Sequence, residues 1–99
     1  PKKLSRTKEE QDKLDEKFKN YSLYEFRTCP FCVKTRRFLR KNSINIEIKD
    51  SRGNKVYREE LKKYGGKIQV PCLRIKKEGG SDEWLYESND IIKYLENKI

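Results

Sequence analysis

The tightest constraint in this sequence is a junction. The run Ser22-Leu23-Tyr24-Glu25-Phe26 alternates polar and apolar residues, the period of a β-strand. Only Arg27 and Thr28 separate it from Cys29-Pro30-Phe31-Cys32, after which a helical segment runs to about Lys41. Pro30 suits the first turn of a helix, where its missing N–H breaks no hydrogen bond. The inward face of this helix is expected to carry Val33, Phe38 and Leu39.

The flanking segments extend the junction into a fold. Ile44 to Ile48 alternates as a second strand, and a loop follows over Asp50 to Asn54. Val56, Tyr57, Leu61 and Tyr64 have helical spacing, and Gly65-Gly66 ends that helix. Pro71 to Ile75 reads as a third strand and Trp84 to Tyr86 as a fourth, with a turn at Glu78 to Asp82. Ser88 is placed to cap a last helix whose Ile91, Ile92, Leu95 and Ile99 pack inward. Upstream, residues 5–19 read as a charged helix capped by Thr7, with Glu9, Glu10 and Asp12 in or near the first turn. Leu4, Leu14 and Phe18 give it a thin apolar stripe, which suits a surface position. The order is helix, β-α-β, helix, hairpin, helix. It implies an α/β fold with a four-stranded mixed sheet and helices on both faces. The division expected is a charged helical extension over residues 1–20 and one domain over 21–99.

Composition narrows the function. The 99 residues suffice for one domain. The net charge of +9 makes nucleic acid an obvious partner to test. Against it, 16 acids are interleaved with 25 bases and no basic tail appears. The imbalance is concentrated in Arg27 to Lys41, which holds six bases and no acid. No apolar run approaches the ~20 residues of a membrane span, and the first residues lack the apolar core of a secretory signal. The expectation is a cytoplasmic monomer that binds neither nucleic acid nor membrane. Three cysteines in such a chain argue against permanent disulfides and for reduced thiols, metal ligation or redox chemistry.

The placement of the cysteine pair favours the last of these. Cys29 precedes the helix proper, where unpaired backbone N–H groups and the positive dipole end favour a thiolate, the nucleophilic form of cysteine. Arg27, Lys34 and Arg37 stand close in sequence to add to this. Cys32, one turn inside, is more shielded yet within reach of the Cys29 sulfur. Cys29 is therefore the attacking thiol and Cys32 the resolving one. A closed zinc site needs four ligands, and the chain has no histidine and only Cys72 as a further sulfur, so no metal is expected. An iron–sulfur cluster completed by thiols from outside the chain stays open, though Pro30 stiffens the loop against it. Cys72 is expected to pack inertly in a buried strand.

Three segments together resemble the glutaredoxins of the thioredoxin-like superfamily: Cys29-Pro30-Phe31-Cys32, Gln69-Val70-Pro71-Cys72, and Tyr86 to Ile92 at the start of the last helix. The last segment and the phrase LYEFRTCPFCVKTRRFL are also similar to the glutathione S-transferase N-terminal domain. The resemblance implies a cis peptide bond before Pro71, facing Cys29. It implies that the Val70 backbone pairs with the cysteinyl part of glutathione like an added strand. Ser88 and Asp90 match positions that hold the γ-glutamyl end, a role that free N–H groups at a helix start suit. Arg27 and Gln69 are expected at the glycine carboxylate, and Phe31, in place of the family's usual tyrosine, leans on the ligand. Glu87 replaces a usual glycine and hints at the transferase-like branch.

The resemblance thus implies a glutathione-dependent dithiol-disulfide oxidoreductase, with glutathione as reducing co-substrate and disulfide-containing or glutathionylated proteins as partners. The alternatives are a transferase-type glutathione-binding domain and an iron–sulfur-binding glutaredoxin.

Overall fold

The computed structural model of the chain describes residues 5–99, so Leu4 lies outside the described residues. The elements are α1 (Lys8–Phe18), β1 (Tyr21–Glu25), α2 (Pro30–Lys41), β2 (Glu47–Asp50), α3 (Lys55–Gly65), β3 (Cys72–Ile75), β4 (Glu83–Tyr86) and α4 (Ser88–Glu96). The strands form one mixed sheet in the order β2-β1-β3-β4. β1 lies parallel to β2, with Leu23 opposite Ile48, and antiparallel to β3, with Leu23 opposite Leu73. β3 and β4 form an antiparallel hairpin. This is the expected α/β architecture.

β1 starts one residue earlier than its alternation suggests, and all five of its residues are buried. As an inner strand it is covered on both faces, so a polar/apolar alternation does not translate into an exposed face. Tyr21 and Leu23 join Leu73 and Ile75 in the larger core, which takes Leu14 and Phe18 from α1, Leu39 from α2, and Ile91 and Leu95 from α4. Tyr24 and Cys72 face the other way, onto Leu61 of α3. Tyr24 satisfies its hydroxyl there by donating to Glu60 Oε1 at 2.8 Å and accepting from Arg74 Nη1 at 3.0 Å.

Helix starts and stops follow local chemistry. Thr7 Oγ1 accepts from the Glu10 N–H, and Glu10 Oε1 accepts from the Thr7 N–H, a reciprocal pair that starts α1 at Lys8 rather than residue 5. Asn54 caps α3 by accepting from the N–H groups of Val56 and Tyr57. Gly66 ends it at φ 92°, and at Gly65 a Cβ would fall 2.6 Å from the Tyr86 hydroxyl.

Several expectations shift. Ile44 to Ile46 lies outside the ladder, which begins only where Ser22 stands opposite Glu47. Ile44 is still buried, so its sequence signal reports core packing rather than a strand. In α2 the buried positions are Cys32, Thr35 and Leu39, with Phe38 packed beside them and Val33 half-buried. In α3 only Leu61 is buried, while Val56 and Tyr64 are exposed. In α4, Ile91 and Leu95 point inward, Ile92 is half-buried and Ile99 is exposed beyond the helix end. Ser88 is the first helical residue rather than the cap. The cap position is held by Glu87 at φ 71°, and its side chain makes no capping bond. No helix among the described residues is long and apolar enough to cross a membrane.

Candidate active site

Cys29 occupies the N-cap position of α2 with an extended backbone and is partly exposed, and Cys32, one turn on, is fully buried. Their environments differ accordingly. Partial burial resists ionisation of Cys29, but the backbone N–H of Cys32, the Cys32 thiol and the N–H of Phe31 outweigh it and hold the Cys29 pKa below that of an ordinary thiol. Burial pushes Cys32 up to about 12, against the Phe26 N–H, which donates to its sulfur at 3.5 Å. The pair therefore divides into one ionisable sulfur at the surface and one neutral sulfur behind it.

The backbone, rather than the basic residues, sets this asymmetry. Lys34 Nζ donates to Asn89 Oδ1, and Arg37 and Arg27 are absent from the groups that act most strongly on Cys29. The strongest nearby charge is negative. Glu25, at the end of β1, is fully buried, pairs with Arg36 through Oε1, and leaves Oε2 without a hydrogen bond, 4.0 Å from Arg27 Nη1. Its charge opposes ionisation of both thiols. Sequence reasoning missed Glu25 and Arg36. The available signal was an acid in phase with Tyr21 and Leu23 on an inward strand face, opposite a helix rich in bases.

Phe31, Gln69, Val70, Pro71, Glu87, Ser88 and Asp90 all line one cleft of about 500 Å³, together with Asn89, which the sequence reading did not single out. The Val70–Pro71 bond is cis. Neither the N–H nor the C=O of Val70 has a hydrogen-bond partner among the described residues. Phe31 is 61% exposed at one wall, and Gln69 Nε2 donates to Glu87 Oε1 at 3.0 Å. The positive φ of Glu87 costs a non-glycine residue roughly 1–3 kcal/mol. It leaves the first turn of α4 without a side-chain cap, open toward the cleft at Ser88, Asn89 and Asp90. Arg27 is not with them: it lines a separate groove. Cys72 is buried, and its thiol is pushed up to about 11 by that burial. Among the described residues no three histidine, cysteine or acidic side chains come together as a metal-binding group.

The thiol asymmetry has a direct readout. Alkylation of the native protein by iodoacetamide is expected to modify Cys29 alone, with a pH midpoint below the ~8.5 of a free cysteine. Because a depressed pKa keeps the thiolate as pH falls, labelling at neutral pH should stay well above that of Cys32 or Cys72. Peptide mapping of the labelled sites checks this, and equal labelling of Cys29 and Cys32 would contradict the assignment.

The glutaredoxin family model matches residues 21–79, from β1 through the β3–β4 turn. Prostaglandin E synthase 2 of Mus musculus is 37% identical over 78 residues, which cover 79% of this chain and 19% of that protein. The chain thus spans about a fifth of that relative's length. Among solved structures, the thioredoxin-like protein BC3987 superposes with a TM-score of 0.60 at 22% identity, covering 80% of this chain and 99% of its own. A point mutant of it gives 0.59 at 21% identity, covering 76% and 97%. At such identities the likeness shows the thioredoxin-like fold. With the family match over more than half its length and this fold around its cysteine pair, the chain belongs to the glutaredoxin family.

Proposed function

We propose that the chain is a glutathione-dependent dithiol-disulfide oxidoreductase. The observation that carries the proposal is the division of the cysteine pair: an ionisable Cys29 at the start of the helix whose Phe31 lines the cleft, and a buried neutral Cys32 behind it. The Cys29 thiolate attacks the glutathione sulfur of a glutathionylated protein, forming a Cys29–glutathione disulfide and releasing the protein thiolate. A second glutathione thiolate then attacks the glutathione sulfur of that adduct, releasing oxidised glutathione and restoring the Cys29 thiolate. With a protein disulfide, the Cys29 thiolate attacks one protein sulfur and frees the other as a thiolate. Cys32 then loses its proton to solvent and attacks the Cys29 sulfur of that mixed disulfide, releasing the second protein thiolate. This closes a Cys29–Cys32 disulfide that two glutathiones reduce, leaving as oxidised glutathione. The pair gains two electrons from two glutathiones and passes them to one substrate disulfide.

The cleft has groups for the three parts of glutathione. The open N–H and C=O of Val70 suit the cysteinyl amide as an added strand. The uncapped start of α4 suits the γ-glutamyl carboxylate, with Asp90 on its ammonium. Gln69 suits the glycine end and Phe31 a wall.

The test is mass spectrometry of the protein after incubation with oxidised glutathione. A glutathione adduct on Cys29 or a Cys29–Cys32 bridge is expected, and neither forming would sink the proposal. Asp90→Asn should raise the KM for glutathione by up to roughly fivefold with little change in stability, because an exposed charge pair is worth at most about 1 kcal/mol.

A second reading rests on the 37% identity to prostaglandin E synthase 2: a glutathione-binding domain serving a synthase. It would show binding of glutathione without turnover of any disulfide.

A further inference from the structure

A second groove, of about 730 Å³, shares no lining residue with the glutathione cleft. It runs between α2 and the edge strand β2, from Arg27 past Arg36 and Arg40 to Asn45, Glu47 and Ile48. We propose that it docks an extended acidic segment of the substrate protein, laid along β2 as an added strand. The use of this groove rests on the proposed disulfide chemistry at Cys29, but binding in it does not.

Two independent features point to such an occupant. β2 is the outer strand of the sheet, bonded to β1 on one side only, so an extended chain can add to its free edge. Ile48 stands 39% exposed on that strand. The rim is cationic with little to answer it. Arg40 is exposed, and its guanidinium has no ion-pair or hydrogen-bond partner among the described residues. Arg27 is 63% exposed at its side chain, with a carboxylate oxygen no nearer than 4.0 Å. Arg36 is already committed to Glu25 and contributes less. The lone carboxylate in the lining, Glu47, accepts from Ser22 Oγ at 3.1 Å. The surplus of charge in this segment of the chain thus has a place in the fold, since Arg27 and Arg40 stand on one groove.

A peptide fits better than a nucleic acid. Strand pairing uses alternating N–H and C=O groups that a phosphodiester backbone lacks, and an exposed isoleucine favours side chains over phosphates. Arg27 lies two residues before Cys29, so a segment in this groove would lead a substrate sulfur toward the attacking thiolate. Attraction of this kind acts mainly on the encounter rate and weakens with salt.

Two measurements on the full chain test the proposal. In the first, a fluorescein-labelled, cysteine-free peptide alternating Glu with Val and Thr is titrated by anisotropy, against the same peptide with Lys for Glu. The acidic peptide should bind roughly threefold to tenfold more tightly at low salt, losing this margin near ~0.5 M salt. Its amide shift changes in the protein should centre on Asn45 to Ile48, and Arg40→Glu should reverse the preference. In the second, glutathionylated peptides with acidic or neutral flanks are compared for kcat/KM alongside a small mixed disulfide of glutathione and cysteamine. The acidic flank should raise kcat/KM by a similar factor, and Arg40→Glu should remove that gain while leaving small-disulfide turnover unchanged.

Equal binding of the two labelled peptides, shifts elsewhere, or displacement of the acidic peptide by a short oligonucleotide at equal concentration would overturn the docking proposal. Loss of small-disulfide turnover in the unmodified protein would instead overturn the redox reading, with the anisotropy result standing by itself.

Discussion

Cys29→Ser is expected to reduce glutathione-dependent disulfide reduction to the uncatalysed background, a loss on the order of a thousandfold or more. A serine hydroxyl at the start of α2 has a far higher pKa than a thiol, and the N–H groups of Phe31 and Cys32 that favour the thiolate cannot bring it into range. The fold should be unaffected, because serine is itself a favoured residue at the N-cap position that Cys29 holds. Cys32→Ser gives the contrast. It removes the resolving thiol but keeps the attacking one, so reduction of glutathionylated substrates should persist through the second glutathione. Release of the Cys29 mixed disulfide formed from a protein disulfide should then slow. Steady-state assays with both substrate types separate these outcomes. If Cys29→Ser kept its activity, or Cys32→Ser lost activity on both substrates equally, the proposed roles would be wrong.

The junction that constrains the chain was legible because each of its parts has its own local signal. The alternation, the proline at the first helical position and the cysteine spacing all point to the same strand-to-helix handover, which the structure contains. The seven cleft residues were legible for a different reason, since they fall in three short motifs that the fold brings to one place. What escaped the sequence depends on neighbours that no local pattern names. The alternation of Ile44, Ile46 and Ile48 starts before the ladder with β1 does, so it overstates β2. Serine after glutamate looks like a helix cap, but Glu87 takes the cap position with positive φ and moves Ser88 into the helix. Arg27, near Cys29 in sequence, falls in the other groove. The Glu25–Arg36 pair needs the knowledge that α2 packs back over the end of β1.

The helix at the chain start poses the remaining large effect. Its sequence is mostly charged, yet Phe18 is 1% exposed and packs edge-on against Tyr21, with ring centroids 4.9 Å apart. Leu14 joins the same core. Polar bonds tie the helix to distant segments: Gln11 donates to Ser43 O at 2.9 Å, Asn45 donates to Asp15 at 2.9 Å, and Lys17 donates to Lys98 O at 2.6 Å. Phe18→Ala would leave a cavity in the larger core. Substitutions of this kind cost about 3–5 kcal/mol, against a total of roughly 5–15 kcal/mol for a chain of this size. The melting temperature should therefore fall by roughly 12–40 °C, at about 4–8 °C per kcal/mol. Val56→Ala serves as the control: at 64% exposure, it should change stability by no more than about 0.5 kcal/mol. Thermal unfolding followed by far-UV circular dichroism distinguishes the two. If Phe18→Ala melted where Val56→Ala does, the helix would be a detachable appendage and its burial would contribute little. If it melts far lower, the chain needs α1 to close the core face that also carries α2, and with it the position of Cys32 behind Cys29.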